Sequence, residues 1–128
     1  MPQPRLLLID DEPALAAFLA SAATTVGFDP AISATDADFR ESFLADPPEM
    51  IAVDLGMPVD GVELIRFLAD QDYRGPVLIV SGFDRRVLES AFRLGEALGL
   101  NMAGPIEKPV RLEILEDMLA KLKATLVP

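Results

Sequence analysis

Five polar residues stand just after apolar stretches of the chain, and together they could hold a hard cation and a phosphoryl group. Asp10 and Asp11 follow Leu6–Ile9, Asp54 follows Met50–Val53, Ser81 follows Val77–Val80, and Lys108 comes just after Asn101–Ile106. Carboxylates brought close together repel one another and shift toward protonation unless a cation neutralises them. The chain has no histidine and no cysteine, so such a cation would be held by oxygen alone, which suits magnesium, manganese or calcium. Magnesium typically combines a few carboxylates with phosphoryl oxygens. A nearby ammonium and hydroxyl would stabilise charge on a phosphoryl group during transfer.

Each feature taken alone also has a structural reading. The acid pair, followed by Glu12 and Pro13, fits the start of a helix. Asp54 with Gly56, Pro58, Asp60 and Gly61 fits a turn. Ser81-Gly82 fits a helix-entry loop with Asp84 as N-cap, and a Lys-Pro pair means little by itself. Their shared position at successive strand ends is harder to explain structurally.

The elements that must position these residues are legible in the hydrophobic pattern. Leu6–Ile9, Met50–Val53 and Val77–Val80 are short runs rich in branched side chains, as expected for strands buried on both faces of a parallel sheet. Phe28–Ser33 and Asn101–Ile106 are weaker strand candidates. Each contains a proline, Pro30 or Pro105, which cannot donate to a ladder and so belongs at a sheet edge. Helical stripes run through Leu15, Phe18, Leu19, Ala22 and Val26, through Leu64, Phe67 and Leu68, through Val87, Ala91, Leu94 and Leu98, and through Leu112, Leu115, Leu119, Leu122 and Leu126. The last stripe could form a dimer seam, but packing against the sheet is the better account. Central runs and proline-bearing edges predict a doubly wound α/β fold: five parallel strands in the order 2-1-3-4-5, with five helices. In such a sheet, functional residues gather beyond the carboxyl ends of the strands, and every end but the second offers a polar group.

Composition narrows the alternatives. A chain of 128 residues is expected to form one domain over residues 1–128. Its mean hydropathy is +0.32, yet no apolar run approaches the roughly 20 residues of a bilayer-spanning helix. The start of the chain lacks the long apolar core of a signal peptide, so a cytoplasmic location without membrane association is expected. A net charge of −10 without a Lys/Arg cluster argues against direct nucleic-acid binding. The last stripe extends almost to Pro128, leaving no room within these residues for an output domain.

The segments LLLIDDEP, VDLGMPVDG, VLIVSG and EKP, in this order across nearly the whole chain, resemble the receiver domains of response regulators in two-component signalling. The resemblance implies a flavodoxin-like fold and a non-enzymatic phosphorelay role. Asp54 would take a phosphoryl group from the phosphohistidine of a histidine kinase or phosphotransfer protein. Asp10, Asp11 and Asp54 would hold Mg2+ with the Gly56 backbone carbonyl. Lys108 would contact the phosphoryl group, and Ser81 would move toward its oxygens. That movement would switch a surface of the fourth helix, fifth strand and fifth helix, where a downstream effector, a fused output domain or a second copy in a homodimer could dock. The Lys108-Pro109 bond is expected to be cis by the same resemblance.

The chain departs from that family pattern in three places. Pro105 occupies the position of an aromatic switch residue and has no comparable rotamer change. The stretch from Asp54 to Gly61 is one residue shorter than the common spacing. That from Ser81 to Lys108 is longer, which suggests an extended fourth helix or a longer loop through Glu96–Gly104. Its text is similar to receivers fused to EAL-type cyclic-di-GMP phosphodiesterases. Two other readings stand beside the phosphoacceptor one. The first is a receiver-like interaction module not switched by phosphorylation. The second is an aspartate-based phosphatase of the haloacid dehalogenase type, whose usual second aspartate is replaced here by Gly56.

Overall fold

Leu6–Ile9 and Met50–Asp54 bury every side chain, so their backbones must satisfy all hydrogen bonds within a sheet flanked on both faces. The computed structural model describes residues 3–10, 12–54, 61–81 and 85–126. It contains strands β1 (Arg5–Ile9), β2 (Asp29–Ser33), β3 (Met50–Asp54), β4 (Pro76–Ser81) and β5 (Asn101–Glu107). They alternate with helices α1 (Pro13–Thr25), α2 (Asp36–Ala45), α3 (Gly61–Asp70), α4 (Arg85–Ala97) and α5 (Leu112–Ala124). The sheet is parallel in the order β2-β1-β3-β4-β5, with β2 and β5, which carry Pro30 and Pro105 inside the strand, at its edges; Pro76 only opens the central strand β4. This is the doubly wound arrangement expected from the sequence.

Residues alternate between the two faces of each strand, and the core divides accordingly. Leu7, Ile9, Ile51, Val53, Val77 and Ile79 pack toward α2, α3 and α4, where Phe39, Phe43, Leu64, Leu68, Leu88 and Ala91 are buried. Leu6, Leu8, Met50, Ala52, Leu78 and Val80 pack toward α1 and α5, against Leu19, Ala22, Leu115 and Leu119. The leucines of α5 therefore serve mainly as core, with Leu122 and Leu126 packed at its margin. Among the stripe residues whose side chains are described, two differ from expectation: Leu98 and Leu112 are exposed, at 43% and 41%. Leu98 lies just past the last residue of α4 and Leu112 is the first of α5, where a side chain can clear the sheet.

Local chemistry sets the helix ends. Pro13 opens α1 at a position where its missing N–H costs nothing. Gly27, at φ +98°, ends the following turn in a conformation that favours glycine. Thr35 caps α2 by accepting from the Asp38 amide at 3.1 Å. Among the described residues, the long stretch between Ser81 and Lys108 holds no extended loop through Glu96–Gly104. From Arg85 onward it is taken up by α4, a short connection at 98–100, and β5 beginning at Asn101. The Gly104-Pro105 and Lys108-Pro109 bonds are both cis, the second as expected. Among the described residues no helix is long and apolar enough to cross a membrane.

Candidate functional site

Strand register brings the carboxyl ends together before any side chain is considered. Ile9 pairs with Val53, so Asp10 emerges beside Asp54, and adjacent strands lie only about 4.8 Å apart. Both aspartates continue the alternation toward the α1 and α5 face. Both are buried, Asp10 at 2% and Asp54 at 5% exposure. Asp54 pairs in turn with Val80, and Val80 with Ile106. Lys108 follows two residues after Ile106 and reaches back across β4. Its Nζ donates to Asp54 Oδ2 at 3.0 Å.

Asp10 is fixed at several points. Its amide donates to the Ser33 carbonyl at 3.1 Å, and its Oδ1 accepts from the Glu12 amide at 2.9 Å. Its Oδ2 is buried and has no hydrogen-bond partner among the described residues. Burial pushes its carboxyl up to about 6 from the ordinary 3.8. The Glu12 amide opposes that rise. The neighbouring Asp54 carboxylate adds to it, while the Lys108 ammonium lowers it. A buried acceptor left open beside a second carboxylate is what a cation ligand requires, so the residues present fit a divalent ion held by oxygen.

The sequence-predicted residues fare differently. Asp10, Asp54 and Lys108 are brought together. Ser81 ends β4 in register with Glu107, at the same edge of the sheet, and its side chain lies outside the described structure. Asp11, Gly56 and the suggested cap Asp84 lie outside the described residues. Accordingly no set of three acidic ligands is seen among the described residues. The end of β2 contributes through its backbone. Ser33 is buried at 3% and its carbonyl anchors Asp10. Ser33 is the last residue of an edge strand, and its register with Ile9, which the sequence does not encode, places it beside Asp10.

A doubly wound parallel sheet with a lysine-paired aspartate at the end of its middle strand defines a class of aspartate-centred α/β domains. The family model for the response regulator receiver domain matches residues 6–120, and the chain belongs to that family. The transcriptional regulatory protein PrrA of Mycobacterium bovis is 31% identical over 127 residues, covering 96% of this chain and 50% of that protein. The TorCAD operon transcriptional regulatory protein TorR of Escherichia coli O157:H7 is 27% identical over 113 residues, 86% of this chain and 46% of that protein. The chain thus spans about half the length of these curated relatives. Among solved structures, a response regulator from Colwellia psychrerythraea superposes with a TM-score of 0.77 at 27% identity, covering 96% of this chain and 98% of that one. The signal receiver domain of a putative Luxo repressor protein from Vibrio parahaemolyticus gives 0.81 at 20% identity, over 97% and 92%, and shows the shared fold.

Proposed function

We propose that the chain is a single receiver domain over residues 1–128 that accepts a phosphoryl group on Asp54 from the phosphohistidine of a histidine kinase or phosphotransfer protein. The observation that carries this reading is the Lys108–Asp54 pair beside the open Oδ2 of Asp10. Asp54 supplies the attacking carboxylate oxygen; its bond to phosphorus forms as the phosphorus–nitrogen bond breaks, and the electron pair leaves with the imidazole. Lys108 sits where its ammonium can pair with the arriving phosphoryl oxygens. The Ser81 hydroxyl is proposed as a further donor to them. Asp10, with Asp11, Asp54 and the Gly56 carbonyl, would hold Mg2+, which when bound supplies neutralising charge for the carboxylates and phosphoryl oxygens. The Glu12 amide keeps the Asp10 carboxylate oriented for that role.

In this reading the domain is a switch and not a turnover enzyme, acting in the cytoplasm without direct contact with nucleic acid or membrane. Phosphorylation would alter the face of α4, β5 and α5 for a downstream effector, a fused output domain or a second copy in a homodimer. The test is incubation with Mg2+ and acetyl phosphate followed by intact mass. One phosphoryl group should be added and Asp54→Asn should abolish it; a chain that gains none in a magnesium-dependent way overturns the reading.

One observation favours a second reading, an interaction module that phosphorylation does not switch. Pro105 is exposed on β5 and offers no rotamer change that could report on Asp54. Amide exchange with and without beryllofluoride separates the two. Protection changes over α4, β5 and α5 reject the second.

A further inference from the structure

Strand β5 is held by two anchors that are out of step with each other. At its start, Val77 pairs with Met102 and Leu78 with Ala103; Met102 packs toward α4 and Ala103 toward α1 and α5. An unbroken strand alternates faces, so Ile106, three residues after Ala103, would fall on the α4 side. Instead Ile106 pairs with Val80 and packs on the same side as Ala103. The register shifts by one residue between Leu78 and Val80, so Gly104 and Pro105 together oppose Ile79 in a bulge. Lys108 inherits the corrected phase. Without the shift, its side chain would start from the face opposite Asp54.

Gly104 is what closes the bulge. It sits at φ +90°, a conformation side chains rarely adopt. A Cβ there would meet the Ile106 nitrogen and Leu78 Cδ1 at 3.1 Å and the Ile79 carbonyl oxygen at 3.3 Å. Two of those neighbours are backbone of the paired strands and would have to give by a few tenths of an ångström, on top of the strain of the positive φ.

We infer that Gly104 is a positioning residue: the bulge it closes absorbs one surplus residue of β5 and so holds Lys108 in phase with Asp54. The inference rests on the proposed reading for its consequence, contact of Lys108 with the phosphoryl group, but not for its geometry. It makes an unusual demand: replacing Gly104 should do more harm than shortening the strand beside it. With Pro105 deleted, residue 104 alone opposes Ile79, Ile106 and Lys108 keep their phase, and no positive φ is needed.

The experiment compares the parent chain with Gly104→Ala, with deletion of Pro105, and with both changes together. Two readouts are taken: the scalar coupling across the Lys108 Nζ to Asp54 carboxylate hydrogen bond, and the rate of magnesium-dependent adduct formation from acetyl phosphate. Gly104→Ala should lose the coupling and slow the adduct by on the order of 10²-fold, as expected when a reacting group is displaced by about 1 Å. Deleting Pro105 should keep both near the parent's, and the combined variant should match the deletion because the two changes act through one bulge. The inference is overturned if the deletion is as harmful as Gly104→Ala, if the combined variant is as poor as the substitution, or if Gly104→Ala leaves the coupling intact. Should Gly104→Ala fail to fold, the deletion and combined variants still decide the matter. A parent that shows the coupling but forms no adduct refutes the phosphoacceptor reading and leaves the positioning role standing.

Discussion

Lys108 Nζ lies 3.0 Å from Asp54 Oδ2, two strands away across β4, with the aspartate side chain only 3% exposed and the lysine 19%. A charge pair this far from water is held by geometry more than by attraction, because both partners lose hydration when they meet. Its value lies in having a cation already placed where negative charge would arrive.

Lys108→Ala should therefore slow formation of the Asp54 adduct by on the order of 10²- to 10³-fold, the usual cost of removing one preorganised charge-stabilising donor. Stability should also fall, by at most about 3–5 kcal/mol, since the buried Asp54 loses the Lys108 ammonium. A quenched time course read by intact mass measures the first effect and urea denaturation the second. An unchanged rate would show that the ammonium only neutralises the resting carboxylate.

Tyr73 provides a contrast at the opposite end of the sheet. Its hydroxyl donates to the Pro48 carbonyl at 3.0 Å while its ring meets the edge of Phe43, with centroids 5.5 Å apart. Tyr73→Phe keeps the ring and leaves that carbonyl without its donor, so it should cost about 1–3 kcal/mol. Adduct formation should be unchanged. A large loss of rate in this variant would mean that the site depends on global stability more than on its own strand ends.

Much of this arrangement was legible in the sequence because parallel sheets write their central strands as continuous apolar runs, and Pro30 and Pro105 marked the edges. Two residues could not be judged that way. Ser33 looked like the end of a weak strand, and only its register with Ile9 shows it anchoring Asp10. Gly104 lay both in the weak strand candidate Asn101–Ile106 and at the end of the suggested loop Glu96–Gly104, and only the step between Ala103 and Ile106 reveals a bulge. Helix α2 left little periodic signal, since Phe39 and Phe43 are its only buried residues and Asp36, Asp38 and Glu41 dominate the remainder. Pairing geometry is non-local, so the contact between Lys108 and Asp54 follows from registers that single segments do not encode.

Asp10→Asn should stabilise the fold in EDTA at pH 8. The native carboxyl is raised from 3.8 to about 6, so ionising it in place costs about 3 kcal/mol at roughly 1.4 kcal/mol per unit, an upper figure that the neutral amide avoids. The same variant should lose stabilisation by Mg2+, because an amide oxygen is a weaker ligand than a carboxylate for a hard cation. Urea midpoints in EDTA and in Mg2+ test both halves. A variant less stable than the parent in EDTA would show that the carboxylate makes favourable contacts the amide cannot replace.

The parent chain's pH profile follows from the same residue. Asp10 holds its proton to about 6 when folded and releases it near 3.8 when unfolded, so between those values the native state binds more protons. Stability in EDTA should fall as pH rises through that window, by up to about 1.4 kcal/mol per unit, and this contribution should level off above pH 6. Mg2+ requires the ionised carboxylate and competes with that proton. Its stabilising effect should therefore be small at pH 4.5 and grow toward pH 7, reaching about 2.7 kcal/mol when the free ion is 100-fold above its dissociation constant. Denaturation series with and without Mg2+ across this range, compared with Asp10→Asn to isolate the one carboxyl, measure both slopes. Parent and variant profiles that run parallel in EDTA would mean that Asp10 titrates at its ordinary value and that its open Oδ2 is satisfied in solution.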